Sequence, residues 1–293
     1  MIPKDVFKKI RRIQITTSRM VTDVFAGRYQ SVFKGRGMEF YEVREYQPGD
    51  EIRSIDWNVT ARMGHPYIKK FIEERELSVM LLLDGSMSCY FGAVGQLKIK
   101  LAAELCSVLA FSAIQNNDKV GLIIFTDRIE KFIPPRKGLR HVLRVIREAL
   151  YYRPAGKGTD IASCLEYMNR ITKRRTISFI ISDFFDKGFK KILSTVNKKH
   201  DMVAVTITDP REIALPDVGI IKLNDAETGE RFVIDTSDPG FREQYTKDAF
   251  RRMEDRKRLL RSINVDTIDI RTDIPYTKEL IRFFRTRERR RLK

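Results

Sequence analysis

The stretch "LLLDGSMSC" (Leu81–Cys89) decides the fold, because its run of large aliphatic residues stops abruptly at an aspartate. Asp84 is followed by Ser86 and Ser88, with one residue between each of these polar side chains. Continuously apolar runs are typical of parallel strands that are covered on both faces, and ligands in open α/β sheets bind at the carboxyl ends of such strands. We therefore predict a central strand that ends in a crevice holding one carboxylate and two hydroxyls.

Strand-like and helix-like segments alternate from residue 77 onward. Short β-rich runs predict strands over 77–84, 119–126, 176–183, 201–209 and 264–272. Amphipathic stretches with helical apolar spacing predict helices over 95–117, 137–152, 160–174, 187–199 and 241–263. This alternation predicts an α/β fold, a doubly wound, mainly parallel, Rossmann-like sheet with helices on both faces.

One segment interrupts this main domain, which we predict to span residues 76–275. Residues 219–236 contain two β-rich runs around Thr228 and Gly229, a pair that suits a tight turn. We therefore predict an antiparallel β-hairpin insertion on the edge of the sheet. A basic C-terminal helix or tail is predicted to follow the main domain over residues 276–293.

The region before the sheet has a different character. Residues 1–30 have a helical pattern, whereas residues 35–75 are strand-like and turn-like, with "QPGDE" (47–51) as a clear turn. We predict a small N-terminal helical and β-rich subdomain over residues 1–75.

The formal charge of +17 is concentrated at the two ends of the 293-residue chain. Residues 1–36 carry nine Lys/Arg and two acidic side chains, a net +7, and residues 251–293 carry fifteen and seven, a net +8. The rest is therefore close to neutral, at 17 − 7 − 8 = +2. Basic ends of this kind attract nucleic acid, an anionic membrane surface or an acidic protein face, or they are solvated helix ends that serve solubility alone.

Composition limits the class of protein. Apolar residues make up 42% of the sequence, enough for a sizeable core, and no apolar run is long enough to span a bilayer or to act as a signal peptide. A cytoplasmic location is the expectation. The three cysteines and three histidines are scattered, which argues against a disulfide framework and a zinc site. A metal in this protein would be a hard cation bound by oxygen.

Two further segments bring oxygen-bearing side chains to the end of a strand or the start of a helix. The loop "GKGTD" (156–160) places Thr159 at a helix start, and "FIISD" (179–183) is an apolar strand that ends in Asp183. Serine and aspartate are also ordinary loop and helix-capping residues, so capping alone is the alternative interpretation. The oxygen donors suit Mg²⁺, or another divalent cation such as Mn²⁺ or Ca²⁺.

The combined set resembles the metal-ion-dependent adhesion site of von Willebrand factor A (vWA) domains, whose pattern is Asp-x-Ser-x-Ser, a distant Thr and a distant Asp. Asp84, Ser86, Ser88, Thr159 and Asp183 match this pattern in order. The resemblance implies that the two serine hydroxyls ligate the cation and that the threonine does so directly or through water. It also implies that the aspartates act largely through water or from the second coordination shell, and that one coordination position is left for a partner's acidic side chain. The second aspartate lies in "SDFFD" instead of "SDG", which leaves a contribution from Asp186 open.

A narrower resemblance covers residues 35–84, within matches that run to about residue 236. The segment is similar to the signature of a bacterial family of vWA-like proteins known as domain of unknown function 58. Its landmarks include Pro48-Gly49-Asp50 and Ile55-Asp56-Trp57. Members of that family are commonly paired with MoxR-type AAA+ ATPases. The resemblance therefore implies a MoxR-type partner and a chaperone-like role in assembling or activating a client protein.

A dense group of charged residues accompanies the single tryptophan in this upstream segment. We expect it to form ion pairs and hydrogen bonds rather than a catalytic site, because no nucleophile accompanies it. Its exposed remainder could face a partner. The group comprises Arg44, Asp50, Arg53, Asp56, Trp57 and Arg62.

Enzyme signatures are missing from the sequence, including a phosphate-binding P-loop and a G-x-S-x-G nucleophile elbow. We therefore expect a Mg²⁺-dependent, non-enzymatic protein-binding module. Two alternatives stay open: a Mg²⁺-dependent hydrolase or phosphotransferase that uses the Asp84 cluster, and a nucleic-acid-associated protein that binds through its basic termini.

Overall fold

The computed structural model describes residues 39–72, 77–92, 96–225 and 229–291. The helix predicted over residues 1–30 lies outside these ranges, as does Thr228 of the predicted hairpin turn. The described residues fall into two compact units, one ending at Leu77 and the other beginning at Ser78.

Strands and helices alternate along the larger unit as its sequence pattern predicts. The strands of the described residues, in chain order, are β1 (Glu39–Glu45), β2 (Tyr67–Ile72), β3 (Ser78–Asp84), β4 (Lys119–Phe125), β5 (Ile129–Arg136), β6 (Ile177–Ser182), β7 (Asp201–Thr208), β8 (Ile220–Asn224), β9 (Arg231–Asp235) and β10 (Asp266–Arg271). The helices are α1 (Trp57–Met63), α2 (Lys98–Gln115), α3 (Leu139–Tyr151), α4 (Ile161–Ile171), α5 (Lys190–Lys199), α6 (Pro210–Ile213), α7 (Pro239–Ser262) and α8 (Thr277–Arg291).

Six strands form the central sheet in the order β10-β7-β6-β3-β4-β5. All neighbouring pairs are parallel except β4 and β5, which are antiparallel. The predicted mainly parallel, doubly wound α/β fold is therefore confirmed. Strand β3 lies in the middle of the sheet, so the carboxyl end of the "LLLD" run opens between β4 and β6.

Burial on both faces explains why the central strands are almost continuously apolar. Every residue of β3 from Val79 to Asp84 is buried. Met80 and Leu82 belong to a core cluster that also contains residues of α4 and α5. Helix α2 contacts β3 as well and buries thirteen of its residues.

Strand β5 was not predicted from the sequence. It contains Pro134 and Pro135, which cannot donate backbone hydrogen bonds and are typical of loops or edge strands. The structure places β5 at the edge of the sheet, where only one side of the strand needs partners.

The predicted antiparallel hairpin is confirmed, but its expected position on the edge of the sheet is wrong. Strands β8 and β9 pair with each other, with Ile221 opposite Ile234 and Leu223 opposite Phe232, and form a separate two-stranded sheet. The edges of the central sheet are β5 and β10 instead.

The smaller unit pairs β1 with β2 and also contains α1, which was not predicted. Asp56 caps this helix by accepting hydrogen bonds from Asn58 N at 3.0 Å and from Val59 N at 3.4 Å. Gly64 ends it with φ of +75°, a conformation that favours glycine. A capping aspartate and a glycine in the left-handed conformation thus mark the two ends of this helix.

The basic C-terminal segment is helical in α8, and part of its charge is neutralised internally. Leu280 and Phe284 are buried. Arg287 pairs with both Asp201 and Asp266, and its side chain is mostly covered. Within the described residues, no helix is both long enough and apolar enough to cross a membrane.

Candidate metal centre

Asp84 is a buried carboxylate at the carboxyl end of β3. Its Oδ1 accepts a hydrogen bond from Ser86 N at 2.9 Å, and its Oδ2 accepts one from Ser182 Oγ at 2.5 Å. Both oxygens are therefore occupied by protein donors, and the aspartate fixes the loop that follows it to the end of the neighbouring strand β6.

The two predicted hydroxyls lie close to each other in the loop that follows this carboxylate. Ser86 Oγ and Ser88 Oγ are 3.0 Å apart, with Ser86 buried and Ser88 half-buried. A short 3₁₀ turn over Met87–Tyr90 brings the two serines onto one side. Gly85 permits the close approach of the loop between α3 and α4, because a Cβ at this position would lie 2.6 Å from Pro154 Cγ.

Asp183 follows β6 and is buried beside this loop. Its Oδ2 accepts a hydrogen bond from Lys98 Nζ at 2.7 Å, and its Oδ1 accepts one from Phe185 N at 3.3 Å. Lys98 Nζ also donates to Glu212 Oε1 at 2.5 Å. A buried lysine therefore joins the predicted aspartate to the short helix α6.

The sequence interpretation missed both Lys98 and Glu212. A signal for Lys98 was present, because it precedes Leu101, Ala102 and Leu105 at helical spacing and so falls on the buried face of α2. Glu212 gave a weaker signal, as the third residue after the capping Asp209.

Thr159 lies half-buried in the loop that leads into α4. This loop is bonded to the serine loop, since Met87 N donates to Lys157 O at 2.9 Å. Gly156 allows the loop to pack tightly, because a Cβ here would lie 2.1 Å from Thr126 Oγ1. The structure thus places the threonine loop against the serine loop.

Asp186, which the sequence left open, has a structural role in this arrangement. Its Oδ2 accepts a hydrogen bond from Ile161 N at 2.8 Å, at the first residue of α4. It therefore ties the loop after β6 to the helix that follows Thr159.

The ionisation of the buried Asp84 depends on its surroundings. Burial, together with the nearby charge of Asp183, raises the pKa of Asp84 to about 7, although hydrogen bonds from Ser182 and Ser86 oppose the rise. Burial also raises the pKa of Glu212, against the opposing effect of Lys98. Burial alone would lower the pKa of Lys98, but Asp183 and Glu212 outweigh it and raise that pKa. The carboxylates at this edge therefore favour an additional positive charge.

The donor set fits a hard divalent cation. Neighbouring ligands in an octahedral Mg²⁺ site, with bonds of about 2.1 Å, lie about 3.0 Å apart. The Ser86 and Ser88 hydroxyls have this separation. Because both oxygens of Asp84 and both of Asp183 accept protein hydrogen bonds, the aspartates suit contact through water. No group of three His, Cys, Asp or Glu side chains in the described ranges could hold a metal, so this candidate depends on hydroxyls.

The charged group of the smaller unit is partly paired. Arg44 Nη2 lies 2.6 Å from Asp50 Oδ1, and Gln47 N donates to Asp50 Oδ2 at 2.8 Å. Asp56 is the helix cap already described. The other three members of the group are exposed: Arg53, Trp57 and Arg62.

The sheet and its crevice define the class as an α/β protein with a doubly wound, mainly parallel sheet and a polar site at the carboxyl edge of that sheet. The family model described as "Protein of unknown function DUF58" matches residues 42–255, and the chain belongs to this family. The family expected from the upstream segment is thus confirmed.

Similar proteins occur in mycobacteria. The chain is 31% identical over 285 residues to the uncharacterized proteins Rv1480 of Mycobacterium tuberculosis and Mb1516 of Mycobacterium bovis, with 96% of this chain and 89% of each relative covered. Among solved structures, it is similar to the conserved hypothetical protein BatB from Bacteroides thetaiotaomicron, with 18% identity, a TM-score of 0.46 and coverage of 73% of this chain and 99% of that chain. It is also similar to the SpRpn10 VWA domain, with 14% identity, a TM-score of 0.37 and coverage of 71% and 94% respectively.

Proposed function

We propose that the protein is a non-enzymatic protein-binding module that captures an acidic side chain of a partner through Mg²⁺, or through Mn²⁺ or Ca²⁺ in its place. Ser86, Ser88 and Thr159 would ligate the cation, while Asp84 and Asp183 would orient water and balance charge. The observation that carries the proposal is the pair of serine hydroxyls 3.0 Å apart over a buried carboxylate.

The chain's own residues prepare the site in three ways. Asp84 fixes the serine loop through Ser86 N, and Ser182 holds the second oxygen of that carboxylate. Ser88 is half-buried, so the partner in this proposal approaches from the solvent side of this serine. A bound cation supplies the positive charge that attracts the partner's carboxylate. An acidic side chain is therefore the group that best completes the site.

The positions of two histidines support a binding role over hydrolysis. His141 Nε2 lies 2.8 Å from Val120 O, near the amino end of β4, and His200 Nδ1 accepts from Thr176 N near the amino end of β6. Both lie at the sheet edge opposite the candidate site. General-base catalysis at the site would need a group within hydrogen-bond reach of the reacting atoms, and these two side chains do not supply one.

The partner system that we propose includes a MoxR-type AAA+ ATPase, with a chaperone-like role in assembling or activating a client protein in the cytoplasm. Membership of the DUF58 family supports this proposal, because the family resemblance implies such a pairing. A cytoplasmic location is tested by fractionating cells that produce the tagged chain from its own promoter. Recovery in the membrane fraction after a salt wash would contradict that location.

The binding proposal is tested with the purified full chain and a MoxR-type ATPase from the same organism. Biolayer interferometry in Mg²⁺ should show binding that is lost in EDTA and in Ser86→Ala. Ser262→Ala is a matched control, since Ser262 is an exposed serine near the opposite sheet edge, and it should bind like the wild type. Equal binding with and without the divalent cation would contradict the metal-dependent mechanism.

A further inference from the structure

Lys98 is a buried lysine enclosed by acidic and aromatic groups, and its side chain is only 1% exposed. Its Nζ lies 2.7 Å from Asp183 Oδ2 and 2.5 Å from Glu212 Oε1. The ring of Phe185 covers it, with the ring centroid 5.5 Å from Nζ. Removing an ammonium group from water is costly, so this position demands charged partners and holds a positive charge in a fixed place.

The lysine belongs to the same polar network as the candidate cation site. Asp183 directly follows Ser182, whose Oγ donates to Asp84 Oδ2. On the other side, Glu212 Oε2 accepts a hydrogen bond from Asp209 N at 2.9 Å. A change in the charge of Lys98 would therefore act directly on one of the five predicted site residues.

Stability alone is a weak explanation for this lysine. Buried ion pairs are often no more stabilising than well-packed apolar residues of similar volume, because desolvation offsets their attraction. Lys98 continues the apolar face of α2 that includes Leu101 and Leu105, where an apolar side chain would fit the helical pattern. The lysine therefore calls for a role that an apolar residue could not fill.

The charge count at this edge gives such a role. Four carboxylates lie buried or mostly covered at the carboxyl edge of the sheet, those of Asp84, Asp183, Asp209 and Glu212, together with two cationic groups, those of Lys98 and Arg256. Arg256 belongs to this group because its Nη1 donates to Asp183 O at 3.0 Å. With the carboxylates ionised the sum is −4 + 2 = −2, so a divalent cation would leave this group neutral. Without Lys98 the sum would be −3, and the cation-bound group would keep a charge of −1 that repels a partner's carboxylate.

We propose that Lys98 is a positioning residue whose buried charge keeps this group from being negative once a divalent cation is bound, and thereby allows a carboxylate to be the group that completes the coordination. This inference rests on the proposed function. It makes Lys98 a determinant of partner chemistry without contact between the lysine and the partner. Because Lys98 pairs with Asp183, this carboxylate does not occupy the coordination position that the partner's carboxylate would take.

The inference predicts an unusual sign for one substitution. Lys98→Met should bind Mn²⁺ more tightly than the wild type, by about tenfold, because the site becomes one charge more negative. Glu212→Gln should bind Mn²⁺ about tenfold more weakly for the opposite reason. The double substitution restores the wild-type charge sum and should return the affinity toward that of the wild type. Electron paramagnetic resonance of free Mn²⁺, titrated into each full-length variant, measures the three affinities.

A second readout reports selection of the carboxylate. Acetate that coordinates the bound, paramagnetic Mn²⁺ has a broadened ¹³C resonance. At equal Mn²⁺ loading, the wild type should broaden the resonance of added acetate, and Lys98→Met should broaden it several-fold less. A purely structural lysine would instead make Lys98→Met bind Mn²⁺ more weakly, in parallel with a loss of thermal stability, and that result overturns the inference. Unchanged acetate broadening in Lys98→Met overturns it as well.

The possible outcomes distinguish failure of the role of Lys98 from failure of the proposed cation site itself. If the wild type binds no Mn²⁺, both the cation site and the role of Lys98 are wrong. If the wild type binds Mn²⁺ but Lys98→Met shifts the affinity in the wrong direction, only the role of Lys98 is wrong. If Lys98→Met does not fold, Glu212→Gln and the double variant still decide, since equal or tighter Mn²⁺ binding by Glu212→Gln overturns the charge argument.

Discussion

Replacing Asp84 with asparagine should stabilise the metal-free protein at neutral pH. The folded-state pKa of Asp84 is raised from 3.8 to about 7 by burial and by Asp183. A carboxyl with a raised folded-state pKa contributes its full stability below its unfolded-state pKa and loses that contribution as the pH rises through the folded-state pKa. Since one pKa unit corresponds to about 1.4 kcal/mol, the loss between pH 4 and pH 8 amounts to about 4 kcal/mol.

Asparagine has nearly the same shape and carries no charge, so it avoids this loss. Urea unfolding in EDTA, at intervals from pH 4 to pH 8, measures the free energy of unfolding of both proteins. The difference in favour of Asp84→Asn should grow as the pH rises toward 8. Asp255→Asn, which changes an exposed aspartate on α7, is the matched control and should follow the wild type. Adding Mg²⁺ should flatten the wild-type profile and leave that of Asp84→Asn unchanged.

Parallel pH profiles for the wild type and Asp84→Asn in EDTA would refute this reasoning. They would show that Asp84 is either solvated or compensated by another group in the folded protein. An Asp84→Asn variant that is less stable at every pH would mean that the Ser86 and Ser182 hydrogen bonds outweigh the cost of the buried charge.

Three further predictions concern other parts of the fold. Burial, together with Lys199 and Arg175, lowers the pKa of His200 to about 4, so its contribution to stability is present above pH 6.5 and is lost as the pH falls toward 4. His200→Gln should remove that loss in urea midpoints measured from pH 4 to pH 7. Arg287→Met should lower the free energy of unfolding by about 1–3 kcal/mol in chemical denaturation, because Arg287 holds α8 through two half-buried carboxylates, those of Asp201 and Asp266. Gly156→Ala should lower the free energy of unfolding by about 1–3 kcal/mol, because the new Cβ must displace the loop that contains it. The same variant should bind Mn²⁺ more weakly than the wild type when followed by electron paramagnetic resonance; equal affinity would show that this loop does not contribute to the cation site.

The sheet could be predicted because its strands carry a strong local signal. The segment 77–84 was predicted from an unbroken apolar run, and β3 spans Ser78–Asp84. Strand β5 was missed because its two prolines suggest a loop until its edge position is known. Helix α1 was missed because seven residues give little periodicity to read.

Only the residues of the sequence motif could be predicted as part of the site. Asp84, Ser86 and Ser88 lie within five residues of one another, so their convergence follows from the strand end. Lys98 and Glu212 are 114 residues apart in the chain, and no local pattern relates a helix start to a capping glutamate in another segment. Their pairing is a property of the folded sheet edge and required the structure.

The central claim is that the serine pair over Asp84 binds a divalent cation. Crystals of the full chain grown with Mn²⁺, with diffraction data collected near the manganese absorption edge, test this most directly. The account predicts an anomalous difference peak about 2.2 Å from both Ser86 Oγ and Ser88 Oγ. A crevice without such a peak at saturating Mn²⁺, or a peak bound only by other residues, would contradict it.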